Sequence, residues 1–312
     1  MAITGTTELA GLVKAAYDRY VEFQLRSVPT LRSIADKRPV QQAMPGSSVV
    51  FSIYNDLAPT TATLTEGTDV TATAVSNVST VSVTLQERGR TVLATRKLSE
   101  FAFSDVDPAV ANIVAYDLAN SLDVVVGNVL QTGTQILYGT GGATTPTSNV
   151  TTADEDIITA ADIRRTVAKL RAANVVPREG ELYGAFIHPE VAHDLRAETG
   201  GGSFDDINKY TDANVGKPLA GVVGVLHGAY FVETPRATVT TDGAAGINVY
   251  TTYLMGKQAL AEAVAVEPGV VIGPVTDSLL RNRPIGWYGL LGHSIYRDEA
   301  LWQIRSSSSI AV

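Results

Sequence analysis

The chain has 312 residues, 45% apolar and 18% charged, with a formal net charge of −8 and a pI near 5.1. That length supports two or three folding units around a sizeable core, and the acidic balance disfavours a chain-wide role on nucleic acid. The sequence has no cysteine, which excludes disulfides and Cys-ligated zinc or iron–sulfur centres.

No apolar run approaches the roughly 20 residues needed to span a bilayer. The start, Met1-Ala2-Ile3-Thr4-Gly5, lacks the charged and apolar regions of a signal peptide, so synthesis in a cytoplasm without visible export is expected. Residues 7–26 read as an amphipathic helix, with Leu9, Leu12, Val13, Ala16, Tyr20 and Phe23 on one face. Val28-Pro29 ends it, and Leu31 and Ile34 form a short apolar set before Arg38-Pro39. Pro45-Gly46 turns the chain. Residues 1–46 are therefore expected to be an arm without a core of its own.

From Val49 to Leu98 the pattern is two long strands around a Thr/Ser-rich connection, Asn55 to Asn77. Val49, Phe51 and Ile53 share one face of the first strand, and Val81, Val83 and Leu85 one face of the second. Residues 41–87 carry Asp56, Glu66, Asp69 and Glu87 and no Lys or Arg. An isolated two-stranded hairpin is marginal in water, so these six apolar residues are expected to rest on a neighbouring subunit. On that reading Val83→Asp leaves the subunit soluble and weakens the assembly. Past Gly89 the apolar parity changes from odd to even (Val92, Ala94, Leu98), which predicts a bulge or bend at Gly89 acting as the hinge between hairpin and body.

Asp107 as N-cap and Pro108 at the first helical position start a helix running to about Gln131. Its apolar stripe is Val110, Ile113, Val114, Leu118, Leu122, Val125 and Val129, and Gly133 follows as a stop. Such a helix is about 36 Å long. Gly139 to Thr152 is a Gly/Thr loop. Thr159 with Asp162 resembles a capping box ahead of a helix carrying Ile163, Val167 and Leu170. From Leu182 the pattern is α/β: a strand to Ile187, then a helix opened by His188-Pro189. The loop Gly200-Gly201-Gly202 and short strands on either side of His227-Gly228 follow. Asn248 to Met255 is a strand, Gln258 to Val264 a short helix or strand, and Leu290 to Ile304 a strand returning to the body.

No catalytic, cofactor or metal constellation assembles. His188 and His193 are five apart and about 140° apart on a helix, unlike the i, i+4 pair of a zincin; a capping and a surface role fit them better. Gly221, Gly224 and Gly228 do not make a dinucleotide fingerprint, and Gly216-Lys217 and Gly256-Lys257 lack the rest of a phosphate loop. Ser203 has no nucleophile-elbow pattern around it. Asp154, Glu155 and Asp156 read as a solvated helix lead-in, and His227 and His293 as structural.

The order of arm, acidic hairpin, long helix and α/β unit before a returning strand resembles the major capsid proteins of tailed bacteriophages, the Hong Kong ninety-seven-type fold. Several stretches carry the likeness: Tyr17-Asp18-Arg19-Tyr20-Val21-Glu22, Ala35-Asp36-Lys37-Arg38-Pro39 and Pro45-Gly46-Ser47-Ser48-Val49-Val50-Phe51. Asp105-Val106-Asp107-Pro108 with Ala111 to Tyr116, and Ile187-His188-Pro189-Glu190 with Asp194 to Ala197, continue it. This family includes phages of actinobacteria. The resemblance implies an α+β fold: an N-terminal arm (1–46), an extended hairpin (47–90), a peripheral domain with the spine helix (91–176), an axial domain (177–261) and peripheral return strands (262–312).

It also implies no enzyme activity, and self-assembly as pentamers and hexamers into an icosahedral shell around double-stranded DNA, contacted without sequence specificity. The implied partners are a portal, a separate scaffolding protein (the chain begins almost at its arm) and a cement protein. The location is the virion, with no membrane. Some relatives cross-link covalently through a hairpin lysine; none occurs between Lys37 and Lys97, so a non-covalent shell is expected. The alternatives are an encapsulin-type nanocompartment and a Thr-rich surface adhesin.

Overall fold

The computed structural model describes residues 30–39, 47–54, 57, 59–70, 72, 74, 78–101, 106–139, 147–151, 156–198, 222–275, 277–279 and 281–310. The helix expected over 7–26, most of the Gly139–Thr152 loop and Gly200–Gly202 lie outside them. The described strands are β1 (Asp36–Pro39), β2 (Ser48–Tyr54), β3 (Val78–Thr84), β4 (Gln86–Thr95), β5 (Ile136–Tyr138), β6 (Tyr183–Ile187), β7 (Val222–Leu226), β8 (Ala229–Glu233), β9 (Val239–Thr240), β10 (Val249–Met255), β11 (Leu260–Ile272), β12 (Asn282–Ile295) and β13 (Leu301–Ser306). The helices are α1 (Arg96–Phe101), α2 (Val106–Leu130), α3 (Ala160–Ala172) and α4 (Pro189–Ala197).

Three sheets organise these elements. A seven-stranded sheet runs β5-β13-β10-β6-β8-β7, with β9 on β10; a four-stranded sheet runs β1-β11-β12-β4; β2 and β3 pair with each other. The large sheet holds the main core because β6 and β10 are buried along their whole length and so read as continuous apolar runs. Tyr183, Phe186, Tyr230, Phe231 and Tyr253 fill it, with α3 adding Ile163, Val167 and Leu170 and α4 adding Val191 and Leu195. The Asp162 carboxylate accepts the Thr159 N–H and the Thr159 side chain faces the Asp162 N–H, the reciprocal pair of a capping box; the carboxylate also accepts the Thr159 hydroxyl. His188 Nδ1 accepts the Glu190 N–H at 3.3 Å, so this histidine is a helix cap. The turn between β7 and β8 puts His227 and Gly228 at φ 48° and 90°, both in the left-handed region that a tight hairpin turn demands.

Pairing cuts across the expected domain limits. β5 and β13 fall in ranges assigned to the peripheral domain, yet both are strands of the seven-stranded sheet. The four-stranded sheet takes in Leu260 and Ala261 as well as later residues. The stretch expected as a short helix or strand from Gln258 is the start of the 13-residue β11.

Helix α2 joins the two bodies. At 25 residues it is about 37 Å long. It includes Val106, so Asp107 and Pro108 lie in its first turn, one residue inside the expected start. Its N-terminal half packs Val114 on Ala94, Ile285 and Trp287 of the four-stranded sheet. Its C-terminal half buries Val126 and Leu130 in the main core. The buried line is therefore Val114, Leu122, Val126 and Leu130, whereas Ile113, expected in the stripe, is 48% exposed. Asp117 fixes the helix to the sheet, accepting from Trp287 Nε1 at 2.8 Å and from Arg90 at 2.9 Å.

Candidate assembly surfaces

The base of the hairpin corrects the sequence reading. Phe51 and Val83 are buried against Ala261, Ala263 and Tyr296 of the same chain, and Val49, Ile53, Val81 and Leu85 pack around them. All six residues assigned to a neighbour therefore face the chain's own body. The Phe51 ring meets Tyr296 edge-on with centroids 5.9 Å apart, a favoured aromatic geometry. β3 lies so close to β12 that a Cβ on Gly292 would come within 2.1 Å of the Thr84 carbonyl oxygen. The missed signal was the alternating pair Ala261 and Ala263, small residues on one face of β11 that leave room for a second layer.

The change of apolar parity is real, but its position moves. The ladder breaks at Leu85, between β3 and β4, and the Leu85 N–H bonds Ser47 O at 2.8 Å. Gly89 is not the hinge: it sits mid-strand, paired with Tyr288. A Cβ there would approach Trp287 O to 2.6 Å, so glycine serves close strand packing.

The segment following residue 29 is also built in. Leu31 and Ile34 are buried in the main core, and β1 adds to β11 in parallel. The buried Asp123 of α2 accepts the Thr30 and Arg32 N–H groups at 3.3 and 3.0 Å. Burial pushes its carboxyl above the usual range, and these donors offset only part of that. Arg32 reaches the fully buried Glu262 at 2.7 Å and the exposed Glu267 at 3.1 Å. His293, opposite Glu262 across β11 and β12, places Nε2 at 3.6 Å from it, an electrostatic contact rather than a hydrogen bond. Burial alone would raise Glu262; the His293 imidazole and the Arg32 guanidinium outweigh it and hold the carboxyl below its ordinary range. Arg32 is correspondingly raised: the Glu262 and Glu267 carboxylates outweigh its burial. The expectation that residues 1–46 lack a core thus fails for 30–36, because their partners lie far away in the sequence.

Among the described residues, what remains uncovered is the rest of the hairpin. On β2, Val50 and Tyr54 point away from the body and are 56% and 75% exposed. Beyond them every described residue from 57 to 70 is exposed, including Leu57, Leu64 and Val70. The far end of the four-stranded sheet exposes Leu93, Val271 and Tyr288, and the following α1 exposes Leu98 and Phe101. Among the described residues no group of three or more His, Cys, Asp or Glu is placed to hold a metal ion.

The sequence matches the phage capsid protein family over residues 12–287. A search of curated proteins finds no match. Among solved structures, the capsid of Ralstonia phage GP4 superposes with a TM-score of 0.74 at 16% identity, covering 95% of this chain and 96% of that one. The capsid of Cyanophage Pam1 gives 0.71 at 14% identity, covering 96% and 98%. A chain from Mycobacterium phage Che8 gives 0.65 at 17% identity, covering 94% and 97%. The likeness therefore runs the length of the chain, through hairpin, spine helix and both sheets. With the family match spanning most of the sequence, the chain belongs to the phage capsid protein family.

Proposed function

We propose that the chain is a major capsid protein, many copies of which assemble as pentamers and hexamers into the icosahedral shell of a tailed phage virion around double-stranded DNA. The observation that carries this reading is the projecting half of the hairpin. It holds exposed Leu57, Leu64 and Val70 beside Glu66 and Asp69, and none of the described residues covers it. Large apolar residues left open mark a contact surface where they gather into a patch. The uncovered faces around Leu93, Tyr288 and Phe101 supply apolar surface for neighbouring copies.

Several modest contacts per subunit close a stable shell by multivalency while each alone stays weak enough to correct errors. The family match and the phage capsids named above favour this shell over a nanocompartment or an adhesin. We assign the subunit no enzymatic role. It is made in the host cytoplasm and works with a portal, a separate scaffolding protein and a cement protein. Its contacts to DNA are non-specific, as suits a net-acidic protein whose shell must accept any sequence.

Negative-stain microscopy of the purified protein tests the reading: closed shells are expected, and discrete monomers under all conditions would overturn it. With no lysine between Lys37 and Lys97, boiling particles in denaturant releases single chains; a covalent ladder would refute the non-covalent shell.

A further inference from the structure

Residues paired across two strands share a face of the sheet, so the register of β4 on β12 sorts the charges of the four-stranded sheet. Ala94, Ile285 and Trp287 mark the face on which α2 lies. Trp287 pairs with Arg90, Gly289 with Arg88 and Ala94 with Arg283, so all three arginines of these two strands stand on the α2 face. On the opposite face β4 presents Glu87, Gly89, Thr91 and Leu93, one acid and no base, and their β12 partners add no charge. The hairpin lies on that opposite side, against Gly292 and Ala263, and residues 41–87 hold four acids and no base. The chain is acidic overall, yet one face of this sheet is locally basic.

Little on the α2 face offsets these cations. Arg90, 68% exposed, pairs with Asp117 at 2.9 Å, a surface contact of small worth. Glu262 is fully buried and held by Arg32. Arg88 donates to the neutral Gln86 amide oxygen at 2.6 Å and has no ion pair among the described residues, and Arg283 is exposed. Arg88 and Arg90 lie about 7 Å apart along one strand. A guanidinium is a planar fork that matches phosphate oxygens and is more weakly hydrated than an ammonium. The three arginines are spread along a sheet surface rather than gathered around a pocket, which suits a repeating phosphate backbone better than a single carboxylate. The exposed Lys169 and Arg171 of α3 have another account, because they lie in its last turn, where cations stabilise the helix end. We infer that Arg88, Arg90 and Arg283 form a phosphate-contacting site for duplex DNA on the α2 face, indifferent to base sequence. This rests on the shell reading and gives its DNA contact a place in the fold.

Fluorescence anisotropy of the purified, unassembled chain with a short mixed-sequence DNA duplex tests this. Joint Arg88→Gln, Arg90→Gln and Arg283→Gln weakens binding roughly tenfold at low salt, equally on two unrelated sequences. It also lowers the slope of log K against log salt by about 2–3. Arg88→Lys, Arg90→Lys and Arg283→Lys together keep the slope, which separates loss of charge from loss of fold. Arg164→Gln, Lys169→Gln and Arg171→Gln remove equal charge from α3 and leave affinity and slope near those of the wild type. The inference is overturned if the wild type ignores the duplex, if the glutamine variant binds unchanged, if the α3 variant loses as much, or if the lysine variant loses the slope. Polyglutamate that displaces the duplex better than competitor DNA of equal charge also overturns it, in favour of an acidic protein partner. A chain that binds duplex as described but never forms shells keeps this site and ends the shell reading. Closed shells from a chain that ignores duplex do the reverse.

Discussion

Val50 and Phe51 are consecutive residues of one strand, paired with Ser82 and Val81 in one ladder. Phe51 is 3% exposed against its own body, and Val50 is 56% exposed. Pleating sends alternate residues to opposite faces, so a single hairpin is at once part of a core on one face and exposed on the other. The inward face belongs to the stability of the subunit; on the function proposed above, the outward face and tip belong to the lattice. The two are separable by mutation.

Val83→Asp gives the largest effect. Val83 is fully buried, and a carboxylate there has no partner, so the subunit loses about 3–5 kcal/mol. Urea denaturation of the unassembled chain measures it. An unchanged midpoint with failed assembly would return Val83 to the lattice side, as the sequence alone suggested.

Next is Glu262→Ala, which leaves Arg32 half-buried beside an emptied site and costs about 3 kcal/mol. Because Glu262 lies below its ordinary range in the folded chain, its contribution is fully present above the unfolded value of about 4.3. It is lost as pH falls through the folded value. The gap in Tm between the wild type and Glu262→Gln therefore narrows on acidification below pH of about 4. A gap that stays constant from pH 7 to pH 3 would remove Glu262 from the docking of residues 30–36.

Gly292→Ala is smaller. Its methyl group must displace the Thr84 carbonyl, which belongs to backbone and yields poorly. Overpacking of this kind costs about 1–3 kcal/mol. If the variant is as stable as the wild type, β3 does not lie on β12 as closely as described.

These residues show what was legible. Alternation from Val49 to Leu85 revealed the hairpin and which of its faces is apolar, because period 2 is a local property. It did not reveal what covers that face: Tyr296 and Ala261 lie some 200 residues further along the chain, where no local pattern links them. Glu262 lies in the stretch read only as a short helix or strand, and nothing local points to its partner Arg32, 230 positions away. The parity change was visible and its position was not, since Leu85 pairs through Ser47, while Gly89 is a glycine for reasons of packing. The family resemblance named the fold; the neighbour was invoked because an isolated hairpin is marginal in water, a reason that Ala261 and Tyr296 of the same chain answer equally well.

The smallest effect on the subunit is the most informative for the comparison. Tyr54→Ser and Leu64→Ser each remove a large side chain that is about three-quarters exposed, 75% and 77%. Surface changes of this kind stay within about 0.5 kcal/mol, so urea midpoints of the unassembled variants match the wild type. Assembly is where they differ: a shell repeats each contact at every subunit, so a small loss per contact is multiplied across the lattice. The two variants are expected to fold normally and to give fewer or less salt-resistant particles, scored by microscopy and sedimentation. If they also destabilise the lone subunit, the outward face is holding the fold together, and the division between an inward face for the subunit and an outward face for the shell falls. If they leave both subunit and particles unchanged, the lattice contact lies elsewhere, on the four-stranded sheet around Leu93 and Tyr288.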